Sequence, residues 1–269
     1  MNNLIIFSKN RACQLNLLLN SIDKNANNFF NNITVLYKSD SEFISGYEQL
    51  KQQHNNICFR PEKNFSNDLL SLIDTYYVTT TLLVDDAVIY NNISQYKSLI
   101  ETSINEEVIC FSLRLGMNCN YSHPANLTYN LGEYKDIGDI IEFDYTKQTG
   151  DFNYPLSTDG HIFETKLLLG LLNEITFHNP NTLEANLQIF KNSDKLPKKV
   201  LCFKESKLVS IPVNLVNDTF NNRNGLEFYM SEKELNEKYL NGDIIDLDSL
   251  NFTGINGPHK EIKYEFKKN

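Results

Sequence analysis

Two aspartates stand side by side at Asp85 and Asp86, directly after the run Thr79-Thr80-Thr81-Leu82-Leu83-Val84. A short apolar run, rich in β-branched residues and bounded by polar ones, predicts a buried strand. Carboxylates at the C-terminal end of such a strand sit where open α/β sheets place their ligands. Adjacent acids are poor packing residues and good ligands for a hard divalent cation, Mg²⁺ or Mn²⁺, carried in on a phosphate. An acidic turn that merely closes the strand is the competing structural reading.

Other residues able to do chemistry lie on either side. Ser8-Lys9-Asn10-Arg11 follows the first apolar run, and two cations and a hydroxyl at a helix start can hold an anion or the edge of a base. Arg60 and Arg114 end or interrupt later apolar runs, and a buried Arg114 would need a partner acid. Asp159-Gly160-His161 and Glu184 precede or open helical patterns. Asp159 reads equally as a general base and as an N-cap. Glu184, three residues after Asn181, also fits a capping box.

The elements that must position these residues alternate. Residues 3–7, 33–39, 57–62 and 79–84 read as strands, with helical patterns over 12–22, 41–54 and 64–77 between them. Four strands alternating with helices in under ninety residues predict a mostly parallel sheet. A helix over 93–105 and a strand over 108–116 continue the pattern. Residues 117–156 are irregular apart from a strand at 139–145. Helices are expected from Ile162 and from about Ala185, followed by a strand pair, 199–203 and 208–214. Ser231 and Glu234 form a capping box ahead of a last short helix.

The chain has 269 residues, 41% of them hydrophobic, and a net charge of -9, enough for one full core. With no basic stripe, nucleic acid is not an expected partner. Five scattered cysteines without a CxxC indicate neither a disulfide framework nor structural zinc. No apolar run is long enough to cross a bilayer, so no transmembrane segment is expected, and the cytoplasm is the expected compartment.

Four features, taken in order, resemble the GT-A glycosyltransferases of the family 2 type. They are F-S-K-N-R-x-x-Q-L at the start, V-D-D after the fourth strand, Y-P-L-S-T-D-G-H-I-F with N-P-N-T-L-E, and the late N-G-P-H-K-E. Ala12 stands where that family usually has proline. The acids read D-D-A and not a strict DxD.

The resemblance implies an α/β GT-A (Rossmann-like) fold, a mostly parallel sheet flanked by helices, in a single domain. Residues 1–90 would form the nucleotide-sugar half, and 91–269 an acceptor-binding α+β half with the C-terminal tail. It implies transfer of a sugar from a nucleotide-diphosphate donor, a UDP-sugar foremost, to a glycan or lipid-linked glycan, with inversion. The enzyme would then be cytoplasmic or peripheral at the membrane. Asp86, with Asp85 and His259, would hold Mn²⁺ or Mg²⁺; Ser8, Lys9, Arg11, Arg60 and Asp85 would face the donor. Gly160 and His161 would meet the acceptor, and either Asp159 or Glu184 would be the base. The rival readings are a sugar-phosphate nucleotidyltransferase, against which the absence of a glycine-rich first loop counts, and an inactive sugar- or nucleotide-binding module.

Overall fold

A computed structural model describes residues 1–216, 219 and 223–269. The chain opens with β1 (Asn2–Lys9), α1 (Ala12–Asn25), β2 (Asn32–Lys38), α2 (Ile44–Gln53), β3 (Cys58–Pro61) and α3 (Phe65–Leu72). Asn64 caps α3, its side chain accepting from the Asn67 amide. Then come β4 (Thr79–Val84), β5 (Ala87–Ile89), α4 (Lys97–Ser103) and β6 (Val108–Ser112). The middle of the chain holds the small hairpin β7 (Tyr121–Ser122) and β8 (Leu127–Thr128), then β9 (Lys135–Ile137) and β10 (Ile140–Asp144). Next are β11 (His161–Glu164), α5 (Thr165–Asn173), α6 (Pro180–Leu187), β12 (Lys199–Phe203) and β13 (Leu208–Ser210). The last part is α7 (Glu232–Leu240), β14 (Asp243–Ile245) and β15 (Phe266–Lys268).

Nine strands make one sheet in the order β3-β2-β1-β4-β11-β6-β12-β10-β9. β1, β2, β3 and β4 pair in parallel. β11 runs antiparallel to both β4 and β6, and β10 antiparallel to β12 and β9. With β12 parallel to β6, only β10 and β11 oppose the other seven. The sheet is therefore mostly parallel, and it is buried on both faces, as parallel sheets require. One face packs Leu4, Ile6, Leu83 and Ile162 against Leu15, Leu18 and Leu19 of α1. The other packs Ile5, Leu82 and Phe163 against Leu69, Leu168, Leu172 and Leu183 of the later helices.

Several expected elements differ. Ile162 and Phe163 do not begin a helix. They lie in β11, which fills the slot between β4 and β6 with one side chain in each core. The helix starts only at Thr165, with Glu164 at its N-cap, so Asp159 is not a cap. Asn179 caps α6 in a box closed by Thr182, so Glu184 is not part of one. Residues 199–203 and 208–210 do not pair with each other: β12 enters the large sheet while β13 pairs with β5. The helix at 93–105 is shortened to a 3-10 turn at Ser94–Tyr96 plus α4, and the strand from 108 stops at Ser112. The capping box of Ser231 and Glu234 is present. Among the described residues no helix is long and apolar enough to cross a membrane.

Candidate active site

The site gathers at the C-terminal end of β4. Asp85 and Asp86 occupy the turn between β4 and β5. β1 lies beside β4, and its last residue donates from the Lys9 amide to Asp85 Oδ2 at 3.1 Å. Asn10 then takes a left-handed conformation, φ 59°, which Asn tolerates because its short amide bonds locally. Its side chain bonds Asp40 Oδ2 and the Asp40 amide. This locked turn aims Arg11 back at the acids. Nη1 donates to Asp85 Oδ1 and to Asp86 Oδ2, each at 3.1 Å, and Nη2 donates to the Asn214 carbonyl at 2.6 Å. Tyr47, stacked on Tyr37, fixes the loop from behind through Ser8 Oγ at 2.6 Å and the Arg11 amide at 3.3 Å.

The guanidinium of Arg11 is thus buried against the acidic pair. Asp85 spends Oδ1 on Arg11 and Oδ2 on Lys9. Asp86 gives Oδ2 to Arg11, and among the described residues no other residue bonds its Oδ1. Burial raises the Asp86 carboxyl to about 7; Arg11 opposes this, while Asp85 and Asp159 add to it.

Asp159 reaches the same end of the sheet from the other direction. Gly160, at φ 80°, turns the chain into β11, its amide donating to the Leu82 carbonyl. A Cβ there would lie 3.1 Å from the Leu208 side chain. Asp159 is 5% exposed. Ser210 Oγ donates to its Oδ2 at 2.6 Å, and Arg114 Nη1 stands 3.6 Å from the same oxygen. Its Oδ1 is buried without a partner among the described residues. Burial raises the carboxyl, with Arg114 and Ser210 pulling the other way.

His259 comes in on a late strap: Ser210 bonds the Pro258 carbonyl and the Lys260 amide, placing His259 beside it. The residue is half-buried, its Nδ1 lacks a partner among the described residues, and burial together with Arg114 and His123 holds its pKa well below normal. Glu184 receives three bonds from the loop before Asp159. His161 is enclosed in the sheet, with Nδ1 on the Pro155 carbonyl at 3.0 Å. Arg60, three strands from β4, pairs instead with Asp68 at 3.3 Å. Ser210, Asn214 and Tyr264, the last buried where Asp86 and Arg11 act on its hydroxyl, join the site without any motif in the sequence to announce them, and Ser157 joins from within Y-P-L-S-T-D-G-H-I-F, where nothing singled it out. Only the expectation that a buried Arg114 needs an acid pointed toward Asp159.

Among the described residues no three His, Cys, Asp or Glu side chains gather at metal-binding distance. A cation delivered on a diphosphate needs less, because one or two carboxylates suffice when phosphate and water oxygens fill the other positions. Asp86 fits that role through Oδ1, which no other described residue bonds, and Asp85 stands beside it with each oxygen accepting one hydrogen bond.

No described protein family matches the chain, and no curated protein does. Solved structures do. The S. aureus TarS crystal structure is similar at a TM-score of 0.50 and 15% identity, over 77% of this chain and 36% of that one. TarS 1-349 in complex with UDP-GlcNAc gives 0.50 and 14%, over 77% and 57%; TarS 1-349 alone gives 0.50 and 16%, over 77% and 59%. The fold is a GT-A-like glycosyltransferase fold. This chain spans little more than half of the shorter TarS form and about a third of the longer. Within the GT-A-like fold, Asp85, Asp86, Asp159 and the strap with His259 converge on one end of the sheet, whereas Arg60 does not reach the acids.

Proposed function

We propose that this chain transfers a sugar from a nucleotide-diphosphate donor, a UDP-sugar foremost, to a glycan or lipid-linked glycan, with inversion at the anomeric carbon. The observation that carries this reading is a pair of separately held acids at one end of the sheet: Ser210, whose hydroxyl holds Asp159, pairs with Ala87 beside Asp86. One acid keeps an open oxygen on the donor side. The other keeps a buried oxygen that no described residue bonds.

Asp159 takes the proton of the acceptor hydroxyl. Its pKa, raised by burial, brings the carboxylate toward the range where a general base is effective. Arg114 and Ser210 hold its other oxygen, so only Oδ1 is left to act. The acceptor oxygen bonds to the anomeric carbon as the bond to the diphosphate breaks, and the electron pair leaves with the phosphate. Arg11 balances the charge of Asp85 and Asp86, so the acidic turn does not repel the diphosphate. Mn²⁺ or Mg²⁺, bound through Asp86 with His259 nearby, would neutralise the leaving group. We place the reaction in the cytoplasm, where a lipid-linked acceptor is met at the membrane face.

A thermal-shift screen with UDP, GDP, CDP and TDP, each with and without Mn²⁺, tests the reading. At a hundredfold excess over Kd, the correct nucleotide adds ~2.7 kcal/mol of stability. Asp86→Ala is expected to keep the fold and lose the metal-dependent part of that gain. Stabilisation by none of the four nucleotides sinks the proposal.

A further inference from the structure

We infer that Glu184 is a positioning residue that sets the direction of Asp159 through the hydroxyl of Ser157, and is not itself the base. This rests on the reading of Asp159 as the base. A single oxygen, Oε2 of Glu184, accepts from the Thr158 amide at 2.7 Å, Thr158 Oγ1 at 2.9 Å and Ser157 Oγ at 3.1 Å. A hydroxyl has one proton and two lone pairs. Ser157 gives its proton to Glu184, so both lone pairs point the other way. They accept from Arg114 Nη1 at 2.7 Å and from the Asp159 amide at 3.2 Å. Arg114 in turn donates to the Asp159 carbonyl and stands 3.6 Å from its carboxylate.

Glu184 therefore fixes the rotor that fixes both the guanidinium and the backbone of the base. Its carboxylate is occupied by the loop it organises, while Asp159 keeps a free oxygen. Tyr154 closes the other side, its hydroxyl pushed up by burial and then by the charge of Glu184.

Gln and Ala substitutions separate the two roles. A glutamine can put its carbonyl oxygen where Oε2 sits and still accept these bonds, but it cannot take up a proton. The assay is release of nucleotide diphosphate from a panel of UDP-, GDP-, CDP- and TDP-sugars by the full chain. Glu184→Gln is expected to stay within about tenfold of wild-type kcat. Glu184→Ala is expected to fall about a hundredfold with donor KM unchanged, as for a misaimed base, and Asp159→Asn to fall ~10²–10⁴-fold.

Amide hydrogen exchange supplies a readout independent of turnover: Thr158 and Asp159 lose protection in Glu184→Ala and keep it in Glu184→Gln. Wild-type rates in Glu184→Ala overturn the inference and leave Asp159 as the base. Equal collapse of both Glu184 variants, with Asp159→Asn active, overturns both and makes Glu184 the base. No release by the wild-type chain removes the transferase reading and the inference with it.

Discussion

Arg11 touches two neighbouring carboxylates that lie more than seventy residues away in the chain. Removing one partner from a buried ion pair leaves an uncompensated charge, at a cost of about 3–5 kcal/mol. Arg11→Met leaves two such acids, Asp85 and Asp86, with only the Lys9 amide to answer Asp85. The variant is expected to lose stability in that range by urea denaturation; an unchanged midpoint would mean that the ion pairs contribute nothing. The residue types were legible before the structure, and their partners were not. Asp85, Asp86 and Asp159 stood out by chemistry and by their places at the ends of predicted elements. That Arg11 is spent on the acids, and Glu184 on the Ser157 hydroxyl, depends on contacts between distant segments that no local spacing encodes.

Among the elements, β11 carries the clearest lesson. Four residues, His161 to Glu164, adjoin a leucine-rich helix and share its apolar character. A run that short cannot be assigned by periodicity alone. The open slot between β4 and β6 decides it, as sheet pairing outweighs local preference. The first four strands and α1 to α3, by contrast, were readable because each apolar period there is complete and bounded by polar breaks.

Enclosing His161 in β11 also makes stability depend on pH. Burial lowers its pKa to about 3, against ~6.5 in an unfolded chain. Above pH 6.5 the residue is neutral in both states and has no effect. As pH falls below that value only the unfolded state takes up the proton, and stability drops by about 1.4 kcal/mol per pH unit until the folded pKa is reached. Burial also lowers His54, His123 and His259, so the wild-type slope is a sum. Denaturant melts of wild type and His161→Gln between pH 7 and 5 should converge as pH falls. Parallel curves would show that the ring is not held neutral.

On the scale of the whole molecule, one sheet crosses the position where the donor half was expected to end. β11 covers the edge of β4 and is covered in turn by β6, and β13 covers β5. Late segments bind early ones again at the strap, where Asn118 and Asn120 bond the carbonyls of Ile255 and Asn256. Glu261 accepts the amides of Leu226, Glu227 and Phe228. A fragment of residues 1–90 would therefore expose the edge of β4, the kind of unpaired strand that recruits another chain. It is expected to self-associate on size exclusion with light scattering, and a monodisperse fragment with a cooperative melt would contradict this.

The same slot beside β4 imposes an order of events during synthesis. Residues 79–84 leave the ribosome well before 161–164, roughly 4–15 s earlier at 5–20 residues per second. For that interval a buried strand of the finished protein waits as an open edge. Its first half is Thr79-Thr80-Thr81; Thr79 bonds the earlier Asn2 at 2.6 Å, and Thr80 reaches the later Thr165 at 2.9 Å. Three hydroxyls on the waiting strand keep it less adhesive than Val or Ile would, while fitting the same pleat. The slot beside β4 stays open until the strand that follows Asp159 arrives to fill it.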